Sequence, residues 1–162
     1  MEGESDEKVL PILGHRILTG SPAFKALNLR GKGNLLNLTK VASIIKYNLR
    51  ESHDISKVLL CIDSECTDVE ATKLQLATPE QALQRSFPDL PVRYVVVDHS
   101  LEGWLLQDRE AIQETLGRNS KLPQYGNPEE NCRPAELLQE LFEKNGRYYK
   151  KTVHATIHRQ KA

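Results

Sequence analysis

The residues of this 162-residue chain best suited to chemistry are carboxylates that fall where secondary-structure elements begin or end. The run Lys57-Val58-Leu59-Leu60-Cys61-Ile62-Asp63-Ser64-Glu65 is apolar until it closes in an acidic pair. A short apolar run with polar ends reads as a buried strand of a parallel sheet. Ligands of such sheets bind just beyond the carboxyl ends of the strands, which is where Asp63 and Glu65 would stand. With one residue between them, the two carboxylates can lean toward a single hard cation, and Mg²⁺ takes oxygen ligands. A solvated turn is the alternative, because acids after a strand are common. Two more acidic groups occupy comparable places. Glu2 and Asp6 lie at the entry to a helix, and Glu102, with Ser100, follows a second strand. If the two strands are parallel neighbours, the three groups converge on one edge. Carboxylates brought together repel, and a divalent cation relieves the repulsion. The constellation is therefore a metal-site hypothesis.

Other chemistry-bearing residues read more plainly. Glu4 and Glu7 are expected to be solvated. Asp6 serves equally well as a helix-start acid, and Asp68 and Asp98 as cap or turn residues. Gly31-Lys32-Gly33 lacks the GxxxxGK[ST] spacing of a phosphate loop and reads as a glycine turn. His154 and His158 stand four apart, but Ala155 takes the place of the HExxH glutamate, so a zinc site is not expected. Cys66 has no evident base partner for a nucleophilic role. Trp104 reads as core or as a wall under the site. The C-terminal third is locally basic through Lys144, Arg147, Lys150, Lys151, Arg159 and Lys161. That face is either solvated or, with Tyr148 and Tyr149 for stacking, a nucleic-acid contact.

The elements that would position these residues alternate in type. Apolar positions 9, 10, 13 and 17 recur at helical spacing, Ser5 is a candidate cap, and Pro11 is placed in the first turn or so. A single amphipathic helix is expected from Leu35 to Leu49, then the strand Lys57–Asp63. Helical material follows from Thr67 to Ser86, with Pro79 opening its second half. Val92–Asp98 is a β-branched strand. Asp108 should cap a helix through Leu116, residues 117 to 133 form a loop, Pro134 starts a helix to about Lys144, and a short helix runs on to Arg159. Alternating helices and strands predict an α/β fold, a mainly parallel sheet flanked by helices, in one domain spanning 1–162.

Composition narrows the class further. Lys plus Arg and Asp plus Glu number 22 each, so the formal net charge is zero, and nucleic-acid binding must come from a local patch. No apolar stretch approaches the ~20 residues that span a bilayer, so no membrane association is expected. The charged first ten residues do not read as a secretory signal. Three cysteines, Cys61, Cys66 and Cys132, with no CxxC, argue against a disulfide framework or a cysteine zinc site. A cytoplasmic location is the expectation.

Glu2-Gly3, followed later by a strand ending in Asp63-Ser64-Glu65, resembles the Toprim pattern of a Glu-Gly and a D-x-D shared by topoisomerases, DnaG-type primases and OLD-family nucleases. The opening Glu-Gly-Glu-Ser-Asp-Glu is similar to the OLD version, in which an acid four residues after the first glutamate joins the metal site, as Asp6 would. Ser100-Leu101-Glu102 resembles the later serine-x-glutamate of those nucleases. More narrowly, Glu102-Gly103-Trp104-Leu105-Leu106-Gln107-Asp108, the proline-rich loop and the closing Tyr-Lys-Lys segment resemble DUF4276, a family of small bacterial proteins regarded as Toprim-like. That resemblance covers nearly the whole chain. Two departures stand out: Glu65 replaces the second aspartate of D-x-D, and the strand that normally precedes Glu-Gly would have to lie before Met1. The expectation is a Toprim-like, Rossmann-like sheet whose first strand is missing through truncation, a misassigned start or genuine absence.

The resemblance implies phosphoryl transfer on a nucleic-acid backbone by a metal-dependent nuclease or related enzyme. It implies one or two Mg²⁺ or Mn²⁺ ions held by Glu2, Asp6, Asp63 and Glu65, with Glu102 and Ser100 assisting at a second metal. Glu2 would alternatively act as general acid or base, and Lys150 or Lys151 would neutralise charge on the transition state. Arg147, Tyr148, Lys150 and Lys151 would contact nucleic acid. The OLD likeness further implies phage defence or a mobile element and, since the chain has no Walker A motif, a separate ATPase partner. The competing expectations are a non-catalytic Toprim-like module that binds nucleic acid or a partner ATPase, and a truncated, inert gene product.

Overall fold

A computed structural model describes residues 4–17, 23–52, 54–117, 120, 122–126 and 132–150. Within them the order is α1 (Glu4–Ile17), α2 (Lys32–Leu36), α3 (Leu38–Glu51), β1 (Val58–Asp63), α4 (Val69–Ser86), β2 (Val92–Val97), α5 (Leu101–Gln107), α6 (Arg109–Leu116) and α7 (Pro134–Lys144). The class is α/β. Strands β1 and β2 pair in parallel, with Val58 opposite Val92 and Asp63 opposite Val97. The intervening helix α4 supplies the crossover that a parallel pair requires.

Strand parity explains which residues face which layer. Side chains alternate along a strand, so Val58, Leu60 and Ile62 share one face of the sheet with Val92, Tyr94 and Val96. That face joins Leu35, Val41, Ile45, Leu76 and Leu83 from α2, α3 and α4 in the largest apolar cluster. The opposite face carries Cys61, Asp63 and Val97. There Val97 meets Val9 of α1 and Leu101 of α5. A separate cluster of Leu105, Leu106, Ile112, Leu116, Leu138, Leu141 and Phe142 binds α5, α6 and α7 together. Asp63 therefore leaves β1 on the side covered by α1.

Side-chain acceptors set the helix starts. Asn37, Asp68 and Asp108 each accept a backbone N–H three residues on, at 3.0, 2.8 and 2.9 Å, which satisfies donors that a first turn leaves open. Asp68 and Asp108 thus cap as expected. Asn37 divides the helix expected over 35–49 into α2 and α3. The expected proline placements are corrected too. Pro11 lies well inside α1, and Ser5 lies within that helix rather than ahead of it. Pro79 opens nothing: α4 runs unbroken through it. A proline inside a helix removes one ladder hydrogen bond, and α4 is held on both sides of that gap by buried Leu76 and Leu83. Trp104 is not core, being 40 % exposed on α5. The helix expected to reach Arg159 lies outside the described residues. No helix among the described residues is long and apolar enough to cross a membrane.

Candidate functional site

The two strands end side by side, and backbone hydrogen bonds lock their ends. The Ser64 N–H donates to the Val97 carbonyl at 2.9 Å, and the Glu65 N–H to the His99 carbonyl at 3.0 Å. The Ser64 hydroxyl, wholly buried, accepts the His99 N–H at 2.8 Å. The His99 ring closes the corner through Nδ1 on the Glu65 carbonyl. A carbonyl only accepts, so Nδ1 carries the proton, and Nε2 stands 3.9 Å from Asp98 Oδ1. Glu65 and His99 both adopt left-handed backbone, φ 55° and 51°, a conformation uncommon for non-glycine residues. The matched turns send both chains off the sheet together.

Asp63, the last residue of β1, is half-buried on the α1 side. Asp6 in α1 and Glu102 in α5 are both buried. The three carboxylates act in pairs on two neighbouring side chains. Burial pushes the Cys61 thiol up, and the Asp63 and Asp6 carboxylates add to the rise. Burial likewise raises the Tyr149 hydroxyl far above its ordinary range, with Glu102 and then Asp6 adding to it. Asp6 thus acts electrostatically both on Cys61 with Asp63 and on Tyr149 with Glu102. The Ser100 hydroxyl donates to Glu102 Oε2 at 2.9 Å, so the serine and glutamate of the expected Ser-x-Glu unit do meet.

Other expected members are placed differently. Glu65 is exposed, with Oε2 3.9 Å from Lys32 Nζ, and its left-handed backbone breaks the alternation that would have aimed it beside Asp63. The Arg147 guanidinium donates to the Thr115 carbonyl, which fastens the segment after α7 to the end of α6. Tyr148 is 68 % exposed. Tyr149 packs edge-on against Phe142, with ring centroids 5.4 Å apart. Lys150 is exposed. Glu2 and Lys151 lie outside the described residues, as do His154 and His158. Among the described residues, no three His, Cys, Asp or Glu side chains are grouped so that they could hold a metal ion.

Sequence reasoning treats Ser64 as a spacer and passes over His99, although these two residues build the corner. The signal for Ser64 was a small hydroxyl residue at a strand end; nothing in the sequence marks His99. The apolar recess lined by Leu105, Ile112, Leu138, Phe142 and Tyr149 belongs to the α5–α7 layer.

The family profile described as Domain of unknown function (DUF4276) matches residues 1–160. Neither a curated protein nor a solved structure matches the chain. With nearly its whole length matched, the chain belongs to the DUF4276 family.

Proposed function

We propose that this chain is a metal-dependent nuclease or related phosphotransfer enzyme that acts on nucleic acid through an acidic, Toprim-like edge, working in phage defence or a mobile element beside a separate ATPase. The observation that carries the reading is the position of Asp6. Buried in α1, it acts on Cys61 together with Asp63 from the end of β1, and on Tyr149 together with Glu102 from the start of α5. The donor set is hard oxygen, the chemistry Mg²⁺ and Mn²⁺ select. The described carboxylates do not by themselves form a three-ligand group, so the proposed set requires Glu2. When bound, such an ion polarises a phosphate and acidifies water. Asp63 and Asp6 are the central ligands, Ser100 holds the Glu102 carboxylate in place, and Lys150 or Lys151 offsets phosphate charge. Tyr148 is exposed for stacking on a base. Arg147, already engaged at Thr115, positions the segment rather than reading phosphate.

A second reading, a non-catalytic module that binds nucleic acid or the partner ATPase, is favoured by the Lys32–Glu65 pair, which engages the acid that D-x-D would lend to a metal. Calorimetric titration of Mn²⁺ separates the two. The enzyme reading expects binding to the wild type, its loss in Asp63→Ala, and a drop of ~10-fold or more in Ser100→Ala, the scale typical of residues that orient a ligand. Nuclease activity should follow the same order. A wild type that binds nucleic acid but no Mn²⁺ leaves the module reading standing and ends the enzyme reading.

A further inference from the structure

Two of the three cysteines are exposed and stand together, although 66 residues separate them in the chain. The Cys66 thiol donates to the Cys132 carbonyl at 3.4 Å. The Cys66 backbone is anchored. Cys66 sits in the turn after β1, held by the Thr67 N–H on the Ser64 carbonyl at 3.0 Å and by the Glu65–His99 bond. Cys132 stands two residues before Pro134, which opens α7. A disulfide demands a narrow range of separation and direction, and the Cys66 sulfur already stands against the Cys132 main chain. Cys61 differs: it is half-buried within β1.

We propose that Cys66 and Cys132 are a redox modification site that closes into a reversible intrachain disulfide on reaction with a low-molecular-weight disulfide such as glutathione disulfide. In the first step one protein thiolate attacks a glutathione sulfur. A mixed disulfide forms, the glutathione S–S bond breaks, and the departing glutathione thiolate takes up the proton the protein thiol lost. In the second step the other protein thiolate attacks the protein sulfur of the mixed disulfide, and a second glutathione thiolate leaves and is protonated in the same way. Two protein thiols are oxidised to one S–S bond, and one glutathione disulfide is reduced to two thiols. The bond fastens the turn that follows Asp63 to the start of α7. This inference does not rest on the nuclease reading.

The test treats the native full chain with glutathione disulfide, blocks free thiols by alkylation, and maps peptides by mass spectrometry. The wild type should yield a monomer cross-linked between Cys66 and Cys132, with Cys61 still a free thiol, and dithiothreitol should reverse it. Cys66→Ser and Cys132→Ser should each stop at a glutathione adduct on the remaining exposed cysteine, and Cys61→Ser should behave as the wild type. A wild type that stops at the mixed disulfide, links two chains, cross-links through Cys61, cross-links only in urea or does not react overturns the proposal.

Discussion

Ser64 has no room for solvent, and its hydroxyl is the acceptor that the His99 N–H uses. Ser64→Ala leaves that N–H without its partner, so the variant should lose about 1–3 kcal/mol, the usual cost of a stranded buried donor. Urea unfolding should show this as a lower midpoint at an unchanged slope. Tyr149 makes a prediction about pH. Its raised folded-state value means that the neutral hydroxyl is favoured in the folded chain. Its contribution is fully present below the ordinary tyrosine value near pH 10 and falls as pH rises beyond it, by at most about 1.4 kcal/mol per pH unit. Tyr149→Phe should therefore lose less stability between pH 10 and 11 than the wild type, as read by denaturant midpoints at each pH. At this scale the sequence was partly legible. Asp63 could be placed because period-two alternation carries through an extended strand. Glu65 could not, because a positive φ interrupts that alternation one residue later.

Helix α4 does more than cross between the strands. Gln84 Oε1 accepts the Val92 N–H at 3.1 Å, and Glu80 Oε2 accepts the Tyr94 N–H at 2.7 Å. The Gln84 amide also donates to the Phe87 and Leu90 carbonyls at 2.9 and 3.2 Å. An open strand edge invites pairing with another chain, and here the side chains of one helix take up backbone donors of β2. Gln84→Ala removes several of these partners at once and should cost on the order of 2 kcal/mol. Thermal unfolding with light scattering should show a lower Tm and more aggregation than Gln81→Ala, a change on the exposed face of the same helix. Both strands and the cap at Asp108 were legible, because apolar runs and capping residues are local signals. The unbroken course of α4 through Pro79 was not, since the leucines that hold it are supported by residues far along the chain.

Across the whole molecule, the acidic edge lies beside the small apolar cluster of Val9, Val97 and Leu101, which is distinct from the two larger ones. The parallel pairing that brings Asp63 and Glu102 to one edge followed from the order of elements. The meeting of Cys66 and Cys132 did not: an odd cysteine count with no regular spacing points away from any pairing, and only the closed fold removes the distance between them. Closing so long a loop restricts the unfolded chain by about 4 kcal/mol in the chain-entropy account. Oxidised protein should therefore melt about 10 °C above reduced protein in calorimetry, a gain that Cys132→Ser abolishes. The clasp of α4 on β2 has a kinetic corollary. Its partners lie 8 and 14 residues apart, whereas Ser64 and His99 are separated by 35. Short loops close at lower entropic cost, so α4 and β2 are expected to form first, with β1 docking onto an edge already oriented to receive it. Truncating Glu80 should then chiefly slow refolding, while Ser64→Ala should chiefly hasten unfolding, a division that stopped-flow chevrons resolve.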